Sequence, residues 1–371
     1  MYYHGGVPVV HLPIPPHPYD ALIEPGLLGR SGALLRELFP ERTRFFVITV
    51  PAVRKAWGPA LMSSLANAGL EAQLLEMPDG DSSKSMPTVE RLARKLIRLG
   101  ADRGSVLVAF GGGVVGDLVG FLASIYMRGI DYVQVPTTLL AQVDASIGGK
   151  TGVNLRDGKN LLGRFHHPRV VLIDPQTLST LPDREFRSGL YESLKCGVIG
   201  IPEVFQRFED NRDPILQRDL SALEWLITES VKFKAAVVTA DEKETDLRRV
   251  LNFGHTIGHA LEAETSYKQF LHGEAVAWGM VAAAMIAAAL QKTDSDTARR
   301  IISTVIALAP LPRVDLRGKR VFRRLKSDKK TSNGVVHFVL PRTIGSAEIV
   351  PDIPDSAVIQ AIEELRYLSQ A

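Results

Sequence analysis

Through the first half of the chain, short runs of β-branched and aromatic residues alternate with windows whose apolar positions recur at helical spacing. Residues 45–50 (FFVITV) predict a strand, 53–68 a helix, 71–77 a second strand and 88–99 (TVERLARKLIRL) a second helix. Residues 106–110 (VLVAF) predict a buried strand that runs directly into glycines. Regular alternation of this kind predicts a mainly parallel sheet with helices on its faces. Ligands of such sheets collect beyond the carboxyl ends of the strands.

After Leu181 and Pro182 the period lengthens. Helical windows cover residues 184–198, 219–241, 254–265, 273–291 and 296–308, and a strand pair is expected around Gly334 with 335–340 (VVHFVL) as its second member. The expected division is therefore an α/β N-terminal domain, residues 1–182, followed by a mainly α-helical C-terminal domain, residues 183–371. A length of 371 residues agrees with two domains, because single cores rarely grow much beyond ~250–300 residues.

Charge and cysteine usage narrow the class. A formal net charge of +3 is too small to argue for nucleic acid and is compatible with a small anionic substrate. Cys196 is the only cysteine, so an internal disulfide framework is excluded and a reducing, cytoplasmic setting is expected. The first 18 residues are rich in proline and histidine and do not read as a signal peptide. The apolar run 275–290 (AVAWGMVAAAMIAAAL) has 16 residues, short of the ~20 that a membrane span needs, and predicts a buried helix.

The densest chemistry lies in residues 134–160 (QVPTTLLAQVDASIGGKTGVNLRDGKN), which gathers Thr137, Thr138, Asp144, Gly148, Gly149, Lys150, Lys159 and Asn160. Small residues let a ligand approach the backbone, and ammonium and hydroxyl groups suit phosphate oxygens. GGGVVGD, residues 111–117, follows the VLVAF strand. It presents amide groups to a pyrophosphate, or else simply makes a tight turn. Residues 77–84 (MPDGDSSK) also follow a strand and read either as a cofactor edge or as a polar turn. The basic run 317–330, with eight lysines and arginines, reads as a solvated helix that turns one or two lysines toward a phosphate.

Histidines supply the second candidate centre. His255 and His259 are four apart in NFGHTIGH, so both fall on one helix face. His272 follows in LHGE, and Glu192 lies in GLYESLK beside Lys195. Neutral imidazoles with a carboxylate suit Zn²⁺. Spacing leaves open whether His255 pairs with His259, or either of them with His272.

Taken together, PDGDSSK, GGGVVGDLVGF, YMRG, QVPTTLLAQVDASIGGKTGVN, GKNLLG, DPQTLSTLP, GLYESLK, LNFGHTIGHALEAE, LHGEAVAWGM and DKK resemble 3-dehydroquinate synthase, a sugar-phosphate cyclase family. The pieces run in family order from about residue 79 to 330. The resemblance implies a Rossmann-like, NAD⁺-binding N-terminal domain and a helical, metal-binding C-terminal domain, with the active site in the cleft between them. It assigns a divalent metal, Zn²⁺ or Co²⁺, to Glu192, His255 and His272. It assigns NAD to Asp79, Gly80, Asp81, Ser82, Ser83, Lys84, Gly113, Val114, Val115, Gly116, Asp117, Thr137, Thr138, Lys150, Lys159, Thr177, Leu178, Ser179 and Thr180. Substrate contacts are implied for Asp144, Lys150, Asn160, Lys195, Lys234, Arg248, Asn252, His259, Lys329 and Lys330. Arg128, in YMRG, resembles the arginine that family homodimers place in the neighbouring subunit's site. No nucleic-acid or membrane partner is implied.

The implied reaction converts 3-deoxy-D-arabino-heptulosonate 7-phosphate to 3-dehydroquinate and phosphate. Oxidation at C5 by NAD⁺ acidifies the neighbouring C–H, phosphate leaves by β-elimination, hydride returns, the ring opens and an aldol step closes the carbocycle. NAD⁺ is regenerated in each turnover. The chain departs from the family pattern at three places: Asp81 stands where glutamate is common, Val50 and Pro51 where many members have an aspartate, and Cys196 where tyrosine is usual. The first two touch the cofactor side and none touches the metal or phosphate set, so weaker NAD binding is the most that is expected.

Overall fold

The computed structural model describes residues 3–4, 7–41, 44–327, 336–351 and 353–370. It divides into two compact units, Met1–Pro182 with Arg218–Thr239, and Asp183–Gln217 with Ala240–Ala371. The chain thus leaves the first unit at the residue where the sequence pattern changes, and returns once to add a helix.

In the first unit the strands are β1 (Tyr3–His4), β2 (Val7–Leu12), β3 (Tyr19–Ile23), β4 (Arg44–Thr49), β5 (Glu71–Glu76), β6 (Val106–Gly111), β7 (Tyr132–Pro136), β8 (Lys150–Leu155), β9 (Gly158–Phe165) and β10 (Val170–Ile173). Helices α1 (Ser31–Leu38), α2 (Pro51–Asn67), α3 (Met86–Arg98) and α4 (Gly113–Ile125) lie among them. Among the described residues, one eight-stranded sheet runs in the order β1-β2-β3-β10-β7-β6-β4-β5. Every pairing from β3 across to β5 is parallel, and β2 and β1 add antiparallel at the β3 edge.

Both faces of this sheet are covered, which is why its strands read as continuous apolar runs instead of alternating ones. Phe46 and Ile48 pack on one face with Leu92 of α3 and Leu118 of α4, while Phe45 and Val47 pack on the other with Leu35 of α1 and Leu61 of α2. Each such fully buried aliphatic or phenyl side chain contributes roughly 1.5–3 kcal/mol. From β4 the chain crosses to β5 on one side and then to β6 on the other, so the order reverses between β4 and β6. That reversal opens the crevice where ligands of such sheets sit, and the glycine turn after β6 lies at it.

The sequence pattern did not anticipate β8 and β9. They form an antiparallel hairpin beside the main sheet, and α4 lies against β8 so closely that a Cβ on Gly120 would stand 2.5 Å from Thr151 Cγ2. Helix α8 (Leu220–Ala240), through Thr239, belongs to this first unit.

The second unit contains α5 (Asp183–Ile199), α6 (Pro202–Asp210), α7 (Asp213–Leu216), α9 (His255–Glu264), α10 (His272–Ala289), α11 (Ser295–Leu308), α12 (Gly318–Ser327) and α13 (Asp355–Leu368). A hairpin of β11 (Phe338–Thr343) and β12 (Ser346–Val350) completes it. That hairpin turns at Gly345, whose φ of 86° suits glycine, and not near Gly334, which lies outside the described residues. Helix α10 is apolar all round and packs against α5, α9, α11 and α13, as a core helix must. It is also the one described helix long and apolar enough to cross a membrane, yet 78% of that window is buried inside the protein.

Candidate active-site residues in the two units

In the first unit most of the expected cofactor residues follow the carboxyl ends of β5, β6, β7 and β10, while Lys150 and Lys159 lie in the β8–β9 hairpin. Asp79 to Lys84 follow β5, and Gly80 holds φ 88° while Asp79 Oδ1 accepts its amide at 2.7 Å. Gly112 is the N-cap of α4, so Gly113 to Asp117 form the first turn, whose free amides and helix dipole favour an anion. A Cβ on Gly111 would meet Val115 Cγ2 at 2.6 Å, and one on Gly116 would meet Gln134 Oε1 at 2.6 Å. These glycines therefore serve the close seating of α4 on the sheet as well as access to the backbone.

Val115 and Leu178 are fully buried and pack in the core, so each offers a ligand only its main chain. Val114 packs against the same core. Thr177 is likewise internal: its hydroxyl donates to Asp174 O at 2.7 Å and accepts from Gln142 Nε2 at 3.0 Å. The Thr180 hydroxyl accepts from Trp57 Nε1 at 2.7 Å, and Ser179 Oγ donates to Gln176 O at 2.8 Å. Thr138 Oγ1 accepts the Ala141 amide at 3.2 Å. The Thr137 hydroxyl, 4% exposed, has no hydrogen-bond partner, an orphan that a ligand atom would satisfy.

A charged network joins these loops. Lys84, buried, donates to both Asp117 Oδ2 and Asn160 Oδ1. Burial pushes the Asp117 carboxyl above its ordinary range, and the neighbouring charge of Lys84 pulls it partly back. Lys234 Nζ, from α8, contacts both the carbonyl and Oδ1 of Asp144 at 2.7 Å. Asp144 sits in a π-helical turn, Ala141–Ala145, a local widening that often marks functional sites. Asn154 ties the hairpin to the β5 loop through Asp81 Oδ2 at 3.2 Å, and Lys159 lies 3.4 Å from the same oxygen. Asp81 is thus already engaged by the hairpin. Lys150 opens β8 after Gly148 and Gly149, whose φ of 100° and 65° make the turn. Arg128 holds φ 73°, between Met127 at 48° and Gly129 at 118°, a run of left-handed backbone that fixes this exposed arginine.

The histidine centre forms within the second unit. A Cβ on Gly273 would stand 1.9 Å from Ser188 O, one on Gly279 1.8 Å from Gly254 O, and one on Gly258 2.9 Å from Ala275 O. Glycine at these positions lets α5, α9 and α10 touch backbone to backbone. Glu192 on α5 and the first residues of α9 and α10, His255 and His272, thereby converge. One ligand atom from each of the three lies within 4.8 Å of the others. His255 Nε2 and His272 Nε2 stand 3.6 and 3.7 Å from Glu192 Oε1.

Glu192 is 1% exposed; Lys195 Nζ is the ion-pair partner of its Oε2, while Oε1 has no hydrogen bond. A buried carboxylate left in this state, facing two imidazole nitrogens, fits a borderline divalent ion. His255 Nδ1 lies 3.1 Å from Phe253 O, which leaves Nε2 for the ion.

His259 lies close to both, edge-on to His255 with ring centroids 5.3 Å apart and tilted to His272 at 5.9 Å. It belongs with Glu262 and His272 in a second group whose ligand atoms are also within 4.8 Å. Sequence reasoning missed Glu262, which was findable: it follows His259 by three residues on the same helix face.

Asp241 was also missed. Its carboxylate accepts the amides of Thr245 (2.9 Å), Asp246 (2.8 Å) and Arg248 (3.0 Å), folding the loop that carries Arg248 and Asn252. Arg248 NH1 donates to Glu242 O, and Asn252 Nδ2 to Glu244 Oε1 at 2.8 Å. Lys329 and Lys330 lie outside the described residues.

A family model described as 3-dehydroquinate synthase N-terminal matches residues 74–188, and one described as 3-dehydroquinate synthase C-terminal matches residues 189–331. A 3-dehydroquinate synthase of Koribacter versatilis (strain Ellin345) is 59% identical over 351 residues, 95% of this chain and 96% of that protein. One of Solibacter usitatus (strain Ellin6076) is 46% identical over 345 residues, 93% and 95% of the two chains. Among solved structures, 2-epi-5-epi-valiolone synthase from Streptomyces hygroscopicus subsp. jinggangensis 5008, with NAD⁺ and Zn²⁺ bound, has 30% identity and a TM-score of 0.86. That match covers 94% of this chain and 97% of that one.

Proposed function

This chain belongs to the 3-dehydroquinate synthase family, and on that premise we propose how its residues share the conversion of 3-deoxy-D-arabino-heptulosonate 7-phosphate to 3-dehydroquinate and phosphate. The observation that supports this most is the convergence of Glu192, His255 and His272, with Glu192 buried and its Oε1 facing both imidazole Nε2 atoms. Those three hold Zn²⁺ or Co²⁺, and the loops after β5, β6, β7 and β10 hold NAD. When bound, NAD⁺ takes and returns the hydride while the divalent ion makes a ligated hydroxyl easier to deprotonate.

The remaining residues bind and orient. Amides of the α4 first turn and Lys84 receive the cofactor's phosphates, and the Thr137 hydroxyl finds its missing partner there. Asp144, held by Lys234, and Asn160, held by Lys84, fix substrate hydroxyls. Lys150, Lys195, Lys234, Arg248 and Asn252 hold the substrate's anionic groups. His259, with Lys329 or Lys330, holds the phosphate so that the leaving group is aligned before it departs. The active assembly is a cytoplasmic homodimer in which Arg128 reaches the neighbouring subunit's site.

Purified protein supplied with NAD⁺ and Zn²⁺ or Co²⁺ is expected to release phosphate from the heptulosonate phosphate with no net accumulation of NADH. Absence of phosphate release would sink the assignment. NADH accumulating in step with product would indicate a polyol dehydrogenase instead. Faster turnover of an amino-analogue in a parallel assay would indicate a sister cyclase.

A further inference from the structure

We infer that Glu262 is a positioning residue for His272, holding its ring so that Nε2 is the nitrogen presented to the metal. Glu262 lies on α9 and is 4% exposed, and its Oε2 is 3.4 Å from His272 Nδ1. The opposite nitrogen of the same ring, Nε2, is the one that faces Glu192 Oε1 at 3.7 Å. A neutral imidazole carries one hydrogen. When Nδ1 holds it and donates to Glu262, the Nε2 lone pair is free and its direction is fixed.

His255 has the same arrangement with a weaker acceptor, the Phe253 carbonyl. The two imidazole ligands are therefore not equivalent. A carboxylate behind a ligating histidine raises its basicity as well as orienting it, so His272 is the stronger donor of the pair. Its side chain is also the more exposed, 30% against 13% for His255, and so needs the tether more.

The His259, Glu262 and His272 group admits a second reading, a separate cation site. If His272 bound that second ion through Nδ1, it would have to give up the hydrogen that Nδ1 directs at Glu262. A single ion with Glu262 behind it lets both nitrogens of His272 be used at once, Nδ1 toward Glu262 and Nε2 toward the ion.

The inference rests on Glu192, His255 and His272 being the ligands, and the test separates the two. Zinc affinity of the apoprotein is measured by chelator competition, with metal stoichiometry and the visible spectrum of the Co²⁺ form. The wild type is expected to bind one ion per chain. Glu262→Ala is expected to weaken zinc binding by about 10–100-fold. Glu262→Gln, which keeps an acceptor oxygen but not the charge, should lose less, and both should shift the cobalt absorption bands.

Unchanged affinity and unchanged cobalt spectra in the folded variants would overturn the inference. So would two ions per wild-type chain, of which Glu262→Ala loses one. If circular dichroism shows Glu262→Ala unfolded, Glu262→Gln decides alone. A wild type that binds no zinc would instead overturn the ligand assignment, and the inference with it.

Discussion

A Cβ placed on Gly279 would lie 1.8 Å from the carbonyl oxygen of Gly254, so α10 and α9 meet backbone to backbone at the level of the histidines. Gly254 takes φ 77° at the N-cap of α9, immediately before His255. Gly279→Ala must therefore push the two helices apart where no flexible side chain can yield. A loss of about 1–3 kcal/mol or more is expected from overpacking alone, measurable by urea denaturation. Zinc affinity should fall with it, because the shift separates His255 from His272. Wild-type stability and zinc affinity in this variant would show that the helices have room to spare.

His272 and His259 should separate by readout. Removing a ligand of a divalent ion removes several kcal/mol of charge stabilisation, so His272→Ala should lose zinc on dialysis and reduce kcat/KM by about 10³-fold. His259→Ala should retain zinc, because its ring lies beside the triad and not within it. Its loss should appear in phosphate handling, as a raised KM for substrate. Equal zinc loss in the two variants would contradict the division of roles.

The parallel sheet and its helices were legible because burial on both faces leaves continuous apolar strands between strongly periodic helices, as at 45–50 and 88–99. Residues 150–165 were not read as a hairpin because β9 is largely exposed and rich in glycine and charge, so no alternation survives. The NFGHTIGH and LHGE motifs announced a metal by residue type, but spacing left three histidines equivalent. What separates them is the close contact of α5, α9 and α10 through Gly254, Gly258, Gly273 and Gly279, a three-dimensional fact that no one-dimensional period encodes. Asp241 escaped because it acts through other residues and carries no signature of its own; Glu262 acts through His272, and its one sequence signal is its place three residues after His259.

Lys84 and Asp117 form a partly buried pair, with side chains 6% and 22% exposed. Removing one partner of such a pair is expected to destabilise by about 3–5 kcal/mol, whatever the pair contributes when intact. In Lys84→Met the Asp117 carboxyl loses the cation that offsets its burial, so its folded pKa rises further above 3.8. A carboxyl raised on folding favours the folded state below its unfolded pKa, and that advantage is lost as pH climbs through the folded value. The stability gap between Lys84→Met and wild type should therefore be small near pH 4 and wide at pH 7–8. Urea titrations at the two ends measure it, and a gap that narrows with rising pH would contradict the role given to Lys84. NAD affinity should fall in parallel, since Lys84 receives the cofactor's phosphates in the proposed reaction, and KM for substrate should rise because Lys84 also holds Asn160.

Asp241 offers the opposite pH sign. Burial alone would raise its carboxyl, but the amides of Asp246, Thr245 and Arg248 hold it far below the ordinary carboxylate range. A carboxyl depressed on folding stabilises the folded state above its unfolded pKa of 3.8, and the contribution disappears as pH falls toward the folded value. Asp241→Asn removes the charge and turns one acceptor oxygen into a donor that faces the amides of Asp246 and Arg248. Left unsatisfied, those two amides should destabilise the loop by about 1–3 kcal/mol each. The loop carries Arg248 and Asn252, which orient substrate in the proposed reaction, so the variant should raise KM about tenfold or more. Zinc stoichiometry should stay at one, because the loop holds none of the three ligands. Against wild type, the stability deficit should be full at pH 7 and shrink as pH falls below 3.8, where the unfolded chain takes up a proton that the native carboxylate still refuses. A deficit independent of pH would mean that the Asp241 charge contributes nothing and only the shape of the side chain matters.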